Sequence, residues 1–263
     1  MTVTIRTLQD RKRAGEKTTM LTAYDFPTAK LLDEAGIDVV LVGDSLGMAV
    51  MGLQNTLGVT MDQMAHHTGM VTRAVDNALV VADMPFLSYQ GNAGDALRNA
   101  GRLVAEAGAR AVKVEGPAEK FGAAIETILR AGIPVMGHIG LTPQSVHRFG
   151  GYRVQGRDAE DRERLMKEAA GLQEIGCFAV VLECMPADLA AEITGALTIP
   201  TIGIGAGAAC DGQVLVVHDM LGWGRTRFAR TFADVRDAMA GAFEQYIREV
   251  KTGSFPAEEH TYK

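Results

Sequence analysis

Eight short apolar segments, which alternate with stretches of helical pattern, constrain the fold of this chain most. Alternating strands and helices predict a parallel sheet, because parallel neighbours are joined through a crossover that is usually a helix. Eight such units in 263 residues predict an α/β fold, a closed (β/α)₈ TIM barrel, with an N-terminal helix over Thr4–Ala14. The predicted strands are Thr18–Asp25, Asp38–Gly43, Leu79–Phe86, Ala111–Gly116, Pro134–Gly140, Ala179–Met185, Pro200–Gly207 and Val214–Leu221.

The amino-acid composition argues against several classes of protein. Hydrophobic residues make up 47% of the chain, which suffices for one barrel domain over residues 1–263. The net charge of −6 and the lack of a basic run argue against nucleic-acid binding. No segment has the roughly 20 apolar residues of a membrane span, and the N-terminus lacks a secretory pattern. The three cysteines form no CxxC pair, so we expect a reducing, cytoplasmic setting.

Six ionisable side chains interrupt or end the apolar strands. In a barrel they would converge at the carboxyl-terminal mouth, where ligands bind. Any one of them could be a paired polar residue of the barrel interior. For all six together that interpretation is weak, because several buried carboxylates need more than one lysine to offset them. The six are Asp44, Asp83, Lys113, Glu115, His138 and Glu183.

A hard divalent cation would offset the carboxylates at this mouth. Oxygen ligands favour Mg²⁺, which keeps several waters and takes few protein carboxylates. An open Mg²⁺ site suits a 2-oxo acid, which chelates through one carboxylate oxygen and the keto oxygen. The metal could then stabilise an enolate.

Other features carry weaker signals. The Gly203–Ala208 segment matches GxGxxA and could belong to a dinucleotide site, but it comes late in the chain and fits a tight strand-to-loop turn better. His66 and His67 lie on a predicted helix surface, where a solvated role is more common than a functional one. Cys184 follows Glu183 directly and is interpreted as packing.

Long motifs along the chain resemble the ketopantoate (3-methyl-2-oxobutanoate) hydroxymethyltransferase family from about Thr18 to Leu221. The resemblance implies a barrel of the phosphoenolpyruvate/pyruvate type. It implies transfer of a hydroxymethyl group from 5,10-methylenetetrahydrofolate to 3-methyl-2-oxobutanoate, giving ketopantoate for pantothenate and coenzyme A synthesis. The motifs are LTAYDFPTAKLLDEAGIDVVLVGDSLGM, VVADMPF, AVKVEG, GHIGLTPQSVHRFGGYRVQGR, VVLEC, TIGIGAG and DGQVLVVHDMLG.

The resemblance also implies roles for single residues. Asp44 and Asp83 resemble the ligands of one Mg²⁺ per subunit, with Glu115 as a third acid that acts directly or through water. Glu183 resembles the family's proton acceptor. Substrate contacts are implied for Asp44, Ser45, Asp83, Lys113 and His138. The family forms homo-oligomers, often decamers, and uses no nucleic acid or membrane partner.

The chain departs from the family pattern in two places. The Leu221–Ala229 segment is shorter than usual, and Gly116-Pro117 replaces the more usual double glycine. A related barrel lyase or aldolase that acts on another 2-oxo acid is the alternative function. Such lyases usually need a catalytic cysteine in a loop after a mid-barrel strand. A non-catalytic interaction protein would leave the strand-end acids without a purpose.

Overall fold

The computed structural model describes residues 2–224 and 226–262, and its eight parallel strands close into a barrel in sequence order. The last strand pairs with the first, from Thr18 opposite Gly212 to Leu21 opposite Leu215. The TIM-barrel prediction is therefore confirmed. The strands are β1 (Thr18–Thr22), β2 (Val39–Val42), β3 (Leu79–Asp83), β4 (Ala111–Glu115), β5 (Val135–Gly140), β6 (Ala179–Glu183), β7 (Thr201–Ile204) and β8 (Gly212–Leu215).

Within the described part of the chain, six helices begin after a residue whose side-chain oxygen accepts a free N–H of the first turn. Thr4 and Thr60 each form a reciprocal capping box, and Asp158 accepts from the N–H of Asp161. The helices are α1 (Ile5–Ala14), α2 (Phe26–Glu34), α3 (Leu46–Ala49), α4 (Met61–Ala74), α5 (Ala93–Gly101, continued by a π turn over Arg102–Glu106), α6 (Ala118–Arg130), α7 (Val146–Phe149, preceded by a 3₁₀ turn over Pro143–Ser145), α8 (Ala159–Glu174), α9 (Ala187–Ala196), α10 (Val217–Met220) and α11 (Val235–Thr252).

The barrel interior changes from apolar to charged along each strand. Side chains alternate between the two faces of a strand, so every second residue points inward. On β3 the inward residues are Leu79 and Val81, followed by Asp83. Leu79 and Val81 belong to the buried apolar cluster that fills the barrel, together with residues of the other strands. The apolar side chains therefore form a floor beneath the charged residues at the carboxyl end.

Helix α1 covers the amino end of the barrel. Its buried Leu8, and Val3 just before it, pack into the same apolar cluster as the strand residues. Lys12 Nζ lies 2.7 Å from Asp211 Oδ2, and Arg11 forms an ion pair with Asp38. Because these two aspartates immediately precede β8 and β2, α1 lies across the amino ends of the strands.

Two predictions near the end of the barrel are wrong. The eighth strand was predicted over Val214–Leu221, but β8 ends at Leu215 and α10 begins at Val217. A strict strand–helix alternation also fails between β7 and β8, where the described residues 205–211 form turns and bends without a helix. A continuous apolar run such as VLVV fits a buried strand and a buried helix equally well, so periodicity alone could not place the boundary.

The chain divides into two compact units, Met1–Val216 and Val217–Lys263. The first unit contains the barrel, and the second contains α10 and α11. A single domain over residues 1–263 stays a prediction. Within the described residues, no helix is long and apolar enough to cross a membrane.

Candidate active site

The strand register brings the predicted residues to one end of the barrel. Asp83 pairs with Lys113 across β3 and β4, and Glu115 pairs with His138 across β4 and β5. Glu183 closes β6, opposite Gly140 at the end of β5. Asp44 follows β2 by two residues and is 3% exposed. The carboxyl ends of five neighbouring strands thus place all six ionisable residues at the mouth.

Lys113 is the central cation of this cluster. Its Nζ lies 3.0 Å from Asp83 Oδ1 and 3.5 Å from Glu115 Oε1. It also lies 3.2 Å from Nδ1 of His138. Burial lowers the pKa of Lys113, but the surrounding carboxylates outweigh this effect and raise the pKa. The ammonium group is therefore charged and held among acids, which allows it to attract a further anion at the mouth.

His138 lies between two glutamates. Its Nδ1 is 3.3 Å from Glu115 Oε1, and its Nε2 is 3.1 Å from Glu183 Oε2. Burial and Lys113 both lower the pKa of His138, but the two glutamates raise it more, to about 9. Each ring nitrogen thus lies within ion-pair distance of one glutamate, but Nε2 is not aligned for a hydrogen bond. Glu183 is the more open of the two acids, with a side chain 14% exposed against 3% for Glu115.

Asp44 and Asp83 form the other side of the mouth. Asp83 Oδ2 accepts the backbone N–H of Asp44 at 3.0 Å, and Asp44 Oδ2 accepts from Nε2 of Gln144 at 2.9 Å. Burial is the main reason that the pKa of each aspartate is raised, with Glu115 adding to the rise in both. Lys113 opposes this rise in both aspartates. The two carboxylates are therefore crowded among like charges.

Glu115 behaves differently from the two aspartates. Burial raises its pKa, but Lys113 and His138 outweigh burial and lower the pKa to about 2. Its Oε2 also accepts the backbone N–H of Gln144 at 3.0 Å. Glu115 is therefore held as a negative charge beside Lys113 and His138.

Ser45 lies at the edge of the cluster and is half-buried. Its Oγ is 2.8 Å from the hydroxyl of Tyr24, a residue that is 2% exposed and follows β1 by two positions.

Tyr152 is half exposed, and its hydroxyl donates to Met48 Sδ at 3.4 Å. Burial raises the pKa of Tyr152, and the charges of Glu183 and Asp44 add to the rise.

Sequence reasoning missed three residues that support the cluster: Tyr24, Tyr89 and Gln144. Tyr89 accepts the N–H of Glu115 at 3.1 Å, and its own hydroxyl lies 2.9 Å from Gln144 Oε1. The only signal for Gln144 was its place in the GHIGLTPQS motif. Tyr89 and Gln144 lie outside the predicted strands, so the strand pattern could not identify them. Tyr24 lies within the predicted first strand but beyond the end of β1, and it was not among the ionisable residues singled out there.

The weaker candidates from the sequence do not lie in positions that suit a catalytic or cofactor-binding role. At Gly203–Ala208 the chain turns, and no helix begins there as a dinucleotide motif requires. Burial, and then the charge of Glu183, raise the pKa of the Cys184 thiol to about 12, which does not suit a nucleophile. His66 is exposed, whereas the half-buried His67 places Nδ1 2.6 Å from the carbonyl oxygen of Tyr24.

The closed barrel of eight parallel strands and its acid-lined mouth define a (β/α)₈ barrel with a candidate active site at the carboxyl ends of the strands. A phosphonopyruvate hydrolase in complex with oxalate and Mg²⁺ superposes with a TM-score of 0.66 at 14% identity, covering 99% of this chain and 92% of that one. A phosphoenolpyruvate phosphomutase from Streptomyces platensis subsp. rosaceus gives a TM-score of 0.64 at 18% identity, covering 97% and 92%. At these identities the likeness concerns the fold.

The family model of ketopantoate hydroxymethyltransferase matches residues 2–258, and the chain belongs to this family. The 3-methyl-2-oxobutanoate hydroxymethyltransferase of Clostridium novyi (strain NT) is 56% identical over 263 residues, which are 99% of this chain and 95% of that protein. The enzyme of the same name from Moorella thermoacetica is 55% identical over 264 residues, covering 99% and 98%. The protein is therefore an enzyme, a hydroxymethyltransferase, and the family resemblance predicted from its motifs is confirmed.

Proposed function

We propose that this enzyme transfers the hydroxymethyl group from 5,10-methylenetetrahydrofolate to 3-methyl-2-oxobutanoate through a Mg²⁺-stabilised enolate. The product is 2-dehydropantoate (ketopantoate), which serves pantothenate and coenzyme A synthesis. The observation that carries this proposal is the arrangement of Glu183 at the open side of the mouth, opposite Asp44 and Asp83. A base on one side and crowded carboxylates on the other suit the removal of a proton next to a chelated keto group.

The charges at the mouth fit a divalent cation. When ionised, Asp44, Asp83, Glu115 and Glu183 carry four negative charges, whereas Lys113 and His138 carry two positive ones. Burial is the main cause of the raised pKa values of the two aspartates, and the charge of Glu115 adds to the rise. One Mg²⁺ per subunit would remove the excess of negative charge, and carboxylate oxygens are the ligands that Mg²⁺ prefers.

Asp44 and Asp83 are the residues that would hold Mg²⁺. Among the residues that the structure describes, no three His, Cys, Asp or Glu side chains converge as a metal-binding group. Two carboxylates completed by water and substrate are a common ligand set for Mg²⁺. Glu115 would act as the third acid, directly or through water. When bound, Mg²⁺ would supply positive charge where the enolate oxygen develops.

The other residues bind substrate and move its proton. Lys113 and Ser45 would bind the carboxylate of the 2-oxo acid, with Asp44 and Asp83 lining the same pocket. Glu183 would accept the proton from C3, and His138, which would also contact the substrate, holds the Glu183 carboxylate through Nε2. The carbanion then attacks the methylene carbon of the folate in its ring-opened iminium form. Water hydrolyses the remaining bond between this carbon and the folate nitrogen, which gives the hydroxymethyl product and releases tetrahydrofolate.

Deuterium exchange tests this function without the folate. The protein is incubated with 3-methyl-2-oxobutanoate in D₂O, with Mg²⁺ or with EDTA, and deuteration at C3 is followed by NMR. We expect exchange with Mg²⁺ and none with EDTA. Exchange that is unaffected by EDTA would contradict the proposed role of the metal. No exchange under either condition, repeated in the presence of tetrahydrofolate, would contradict enolisation of this acid.

The assembly and location are also proposals. Five large apolar side chains of α11 are 42–58% exposed, which supports self-association into a homo-oligomer. The decamer is proposed from family resemblance. The cysteines at positions 177, 184 and 210 carry free thiols, which supports a reducing cytoplasmic setting.

A further inference from the structure

Gln144 reaches the acids of the mouth from outside the strands. It lies in the 3₁₀ turn that follows β5, and it is 7% exposed. Neither its type nor its position follows the strand-end pattern of the six ionisable residues. Its side chain and its backbone nevertheless contact two of them, Asp44 and Glu115.

The side-chain amide of Gln144 makes four hydrogen bonds. Its Nε2 donates to Asp44 Oδ2 and to the carbonyl oxygen of Met84, both at 2.9 Å. Its Oε1 accepts from Nε2 of Gln90 at 2.9 Å and lies 2.9 Å from the hydroxyl of Tyr89. An amide group has two N–H donors and two acceptor lone pairs, so the hydrogen-bonding capacity of this side chain is filled.

These partners fix the orientation of the amide. A flipped Gln144 would place its oxygen against two acceptors, Asp44 Oδ2 and the carbonyl of Met84, and its nitrogen against a donor on Gln90. The observed orientation is therefore the one that the neighbours allow. The Asp44 carboxylate is held by a donor that cannot turn away.

The backbone of Gln144 also forms a hydrogen bond to a second acid, Glu115. Its N–H donates to Glu115 Oε2 at 3.0 Å. One residue thus contacts carboxylates that come from the loop after β2 and from the end of β4. Tyr89 reinforces the link, because its hydroxyl contacts both the backbone of Glu115 and the side chain of Gln144.

We propose that Gln144 is a positioning residue, which holds Asp44 and Glu115 in the arrangement that binds the divalent cation. This inference rests on the proposed function of the mouth. Groups that orient metal ligands through hydrogen bonds affect metal affinity strongly, although they do not contact the metal.

The test measures metal binding directly. Mn²⁺ replaces Mg²⁺, and free Mn²⁺ is counted by electron paramagnetic resonance in titrations of the full-length protein. In Gln144→Met the chain length is kept and both N–H donors are lost, so we expect Mn²⁺ binding to weaken about 10- to 100-fold. The Mg²⁺ concentration for half-maximal C3 exchange should rise, while the exchange rate at saturating Mg²⁺ changes less.

Gln155→Met is the matched control. Gln155 is also 7% exposed and lies in the same connection between β5 and α8. Its side chain, however, donates to the carbonyl oxygen of Arg153. The substitution removes a buried amide without touching the acids. We expect its Mn²⁺ affinity to stay within about twofold of the unsubstituted protein, even if its melting temperature falls as much as that of Gln144→Met.

Tyr89→Phe covers the case in which Gln144→Met does not fold. It keeps the ring that packs edge-on against Phe121 at 5.3 Å. It removes the hydrogen bond to Gln144 and the one that the Tyr89 hydroxyl accepts from the backbone N–H of Glu115. We expect a smaller weakening of Mn²⁺ binding, about 2- to 10-fold.

Two results would overturn the proposal in distinguishable ways. If the unsubstituted protein binds Mn²⁺ and both variants bind it equally well, the role of Gln144 is wrong and the metal site stands. If the unsubstituted protein binds no Mn²⁺, the proposed metal site is wrong and the role of Gln144 falls with it.

Discussion

His138 Nε2 lies 3.1 Å from Glu183 Oε2, across the neighbouring strands β5 and β6. The other ring nitrogen faces Glu115, so the imidazole is held from both sides. A base that is oriented by a fixed partner needs little reorganisation when it accepts a proton. This contact makes Glu183 the first residue to test.

Glu183→Gln should abolish proton removal without unfolding the protein. The amide keeps the size and shape of the Glu183 side chain and its contact with His138, but it cannot accept the C3 proton. We expect a loss of about 10²- to 10⁴-fold in the rate of C3 exchange, with Mn²⁺ binding retained. Glu192→Gln, at an exposed glutamate that pairs with Arg162 on the surface, is the control. An unchanged exchange rate in Glu183→Gln would remove Glu183 from the proposed role.

The protonation of His138 should make the stability of the metal-free protein depend on pH. Its pKa is raised from 6.5 to about 9, so protonation favours the folded state. This contribution is complete below about pH 6.5 and is lost as the pH rises through 9. At about 1.4 kcal/mol for each pKa unit, it amounts to at most about 3.5 kcal/mol.

Urea unfolding in EDTA at pH 6, 7.5 and 9 measures this effect. The difference in unfolding free energy between the unsubstituted protein and His138→Asn should shrink as the pH rises. The same comparison with His66→Asn, at an exposed histidine, should show little change with pH. A constant difference between the unsubstituted protein and His138→Asn across this range would contradict the raised pKa.

Gly140→Ala should disturb both stability and catalysis. Gly140 has φ +93°, and a Cβ at this position would lie 2.2 Å from the carbonyl oxygen of Glu183. The clash can be relieved only by moving the backbone that carries the proposed base. Gly132→Ala is a matched control, because Gly132 has φ +83° but no atom within 4 Å of the added Cβ.

Both alanine variants lose about 1–2 kcal/mol to left-handed backbone strain. We expect Gly140→Ala to lose about 1–3 kcal/mol more, together with most of the C3 exchange activity. Chemical denaturation and the exchange assay measure the two effects. Equal stability and activity in the two variants would show that the end of β6 can move freely.

Asp33 should stabilise the turn that leads into β3. Its carboxylate accepts the backbone N–H groups of Asp76, Asn77 and Ala78, at 3.0, 3.1 and 2.8 Å. Burial raises the pKa of Asp33, but these hydrogen bonds outweigh burial and lower it below 3.8. The stabilisation is therefore complete above about pH 4 and is lost as the pH falls through the lower folded-state value.

Asp33→Asn should lower the unfolding free energy at pH 7 by about 1–3 kcal/mol. The loss should diminish below pH 4, where the unsubstituted carboxyl group also becomes protonated. Glu34→Gln, at an exposed position on the same helix, should have little effect. A loss of the same size at pH 3 and pH 7 would show that the charge of Asp33 is unimportant.

The sequence predicted the positions of the strand-end residues because two simple rules apply to them. Lys113 and Glu115 alternate along a strand and therefore share a face, and the carboxyl ends of parallel strands meet at one mouth. The structure brings these residues together as both rules require. The roles of the residues stay predictions, because they depend on ligands rather than on the strand pattern.

The supporting residues could not be predicted in the same way. Gln144 bonds to residues 44, 84, 89, 90 and 115, which reach it from separate loops and strand ends. Such contacts depend on tertiary packing and leave no periodic signal. The end of β8 was misplaced for a different reason, since the same apolar run continues through the strand and into α10.

The closure of the amino end by α1 has a kinetic consequence. Apolar side chains, including Val3 and Leu8, fill the barrel beneath the acids, so ligands can reach the acids only through the mouth. A small 2-oxo acid that sits against the acids would then lie below the bulky folate. We expect a compulsory order of addition, with the acid first and the folate second, and release in the reverse sequence.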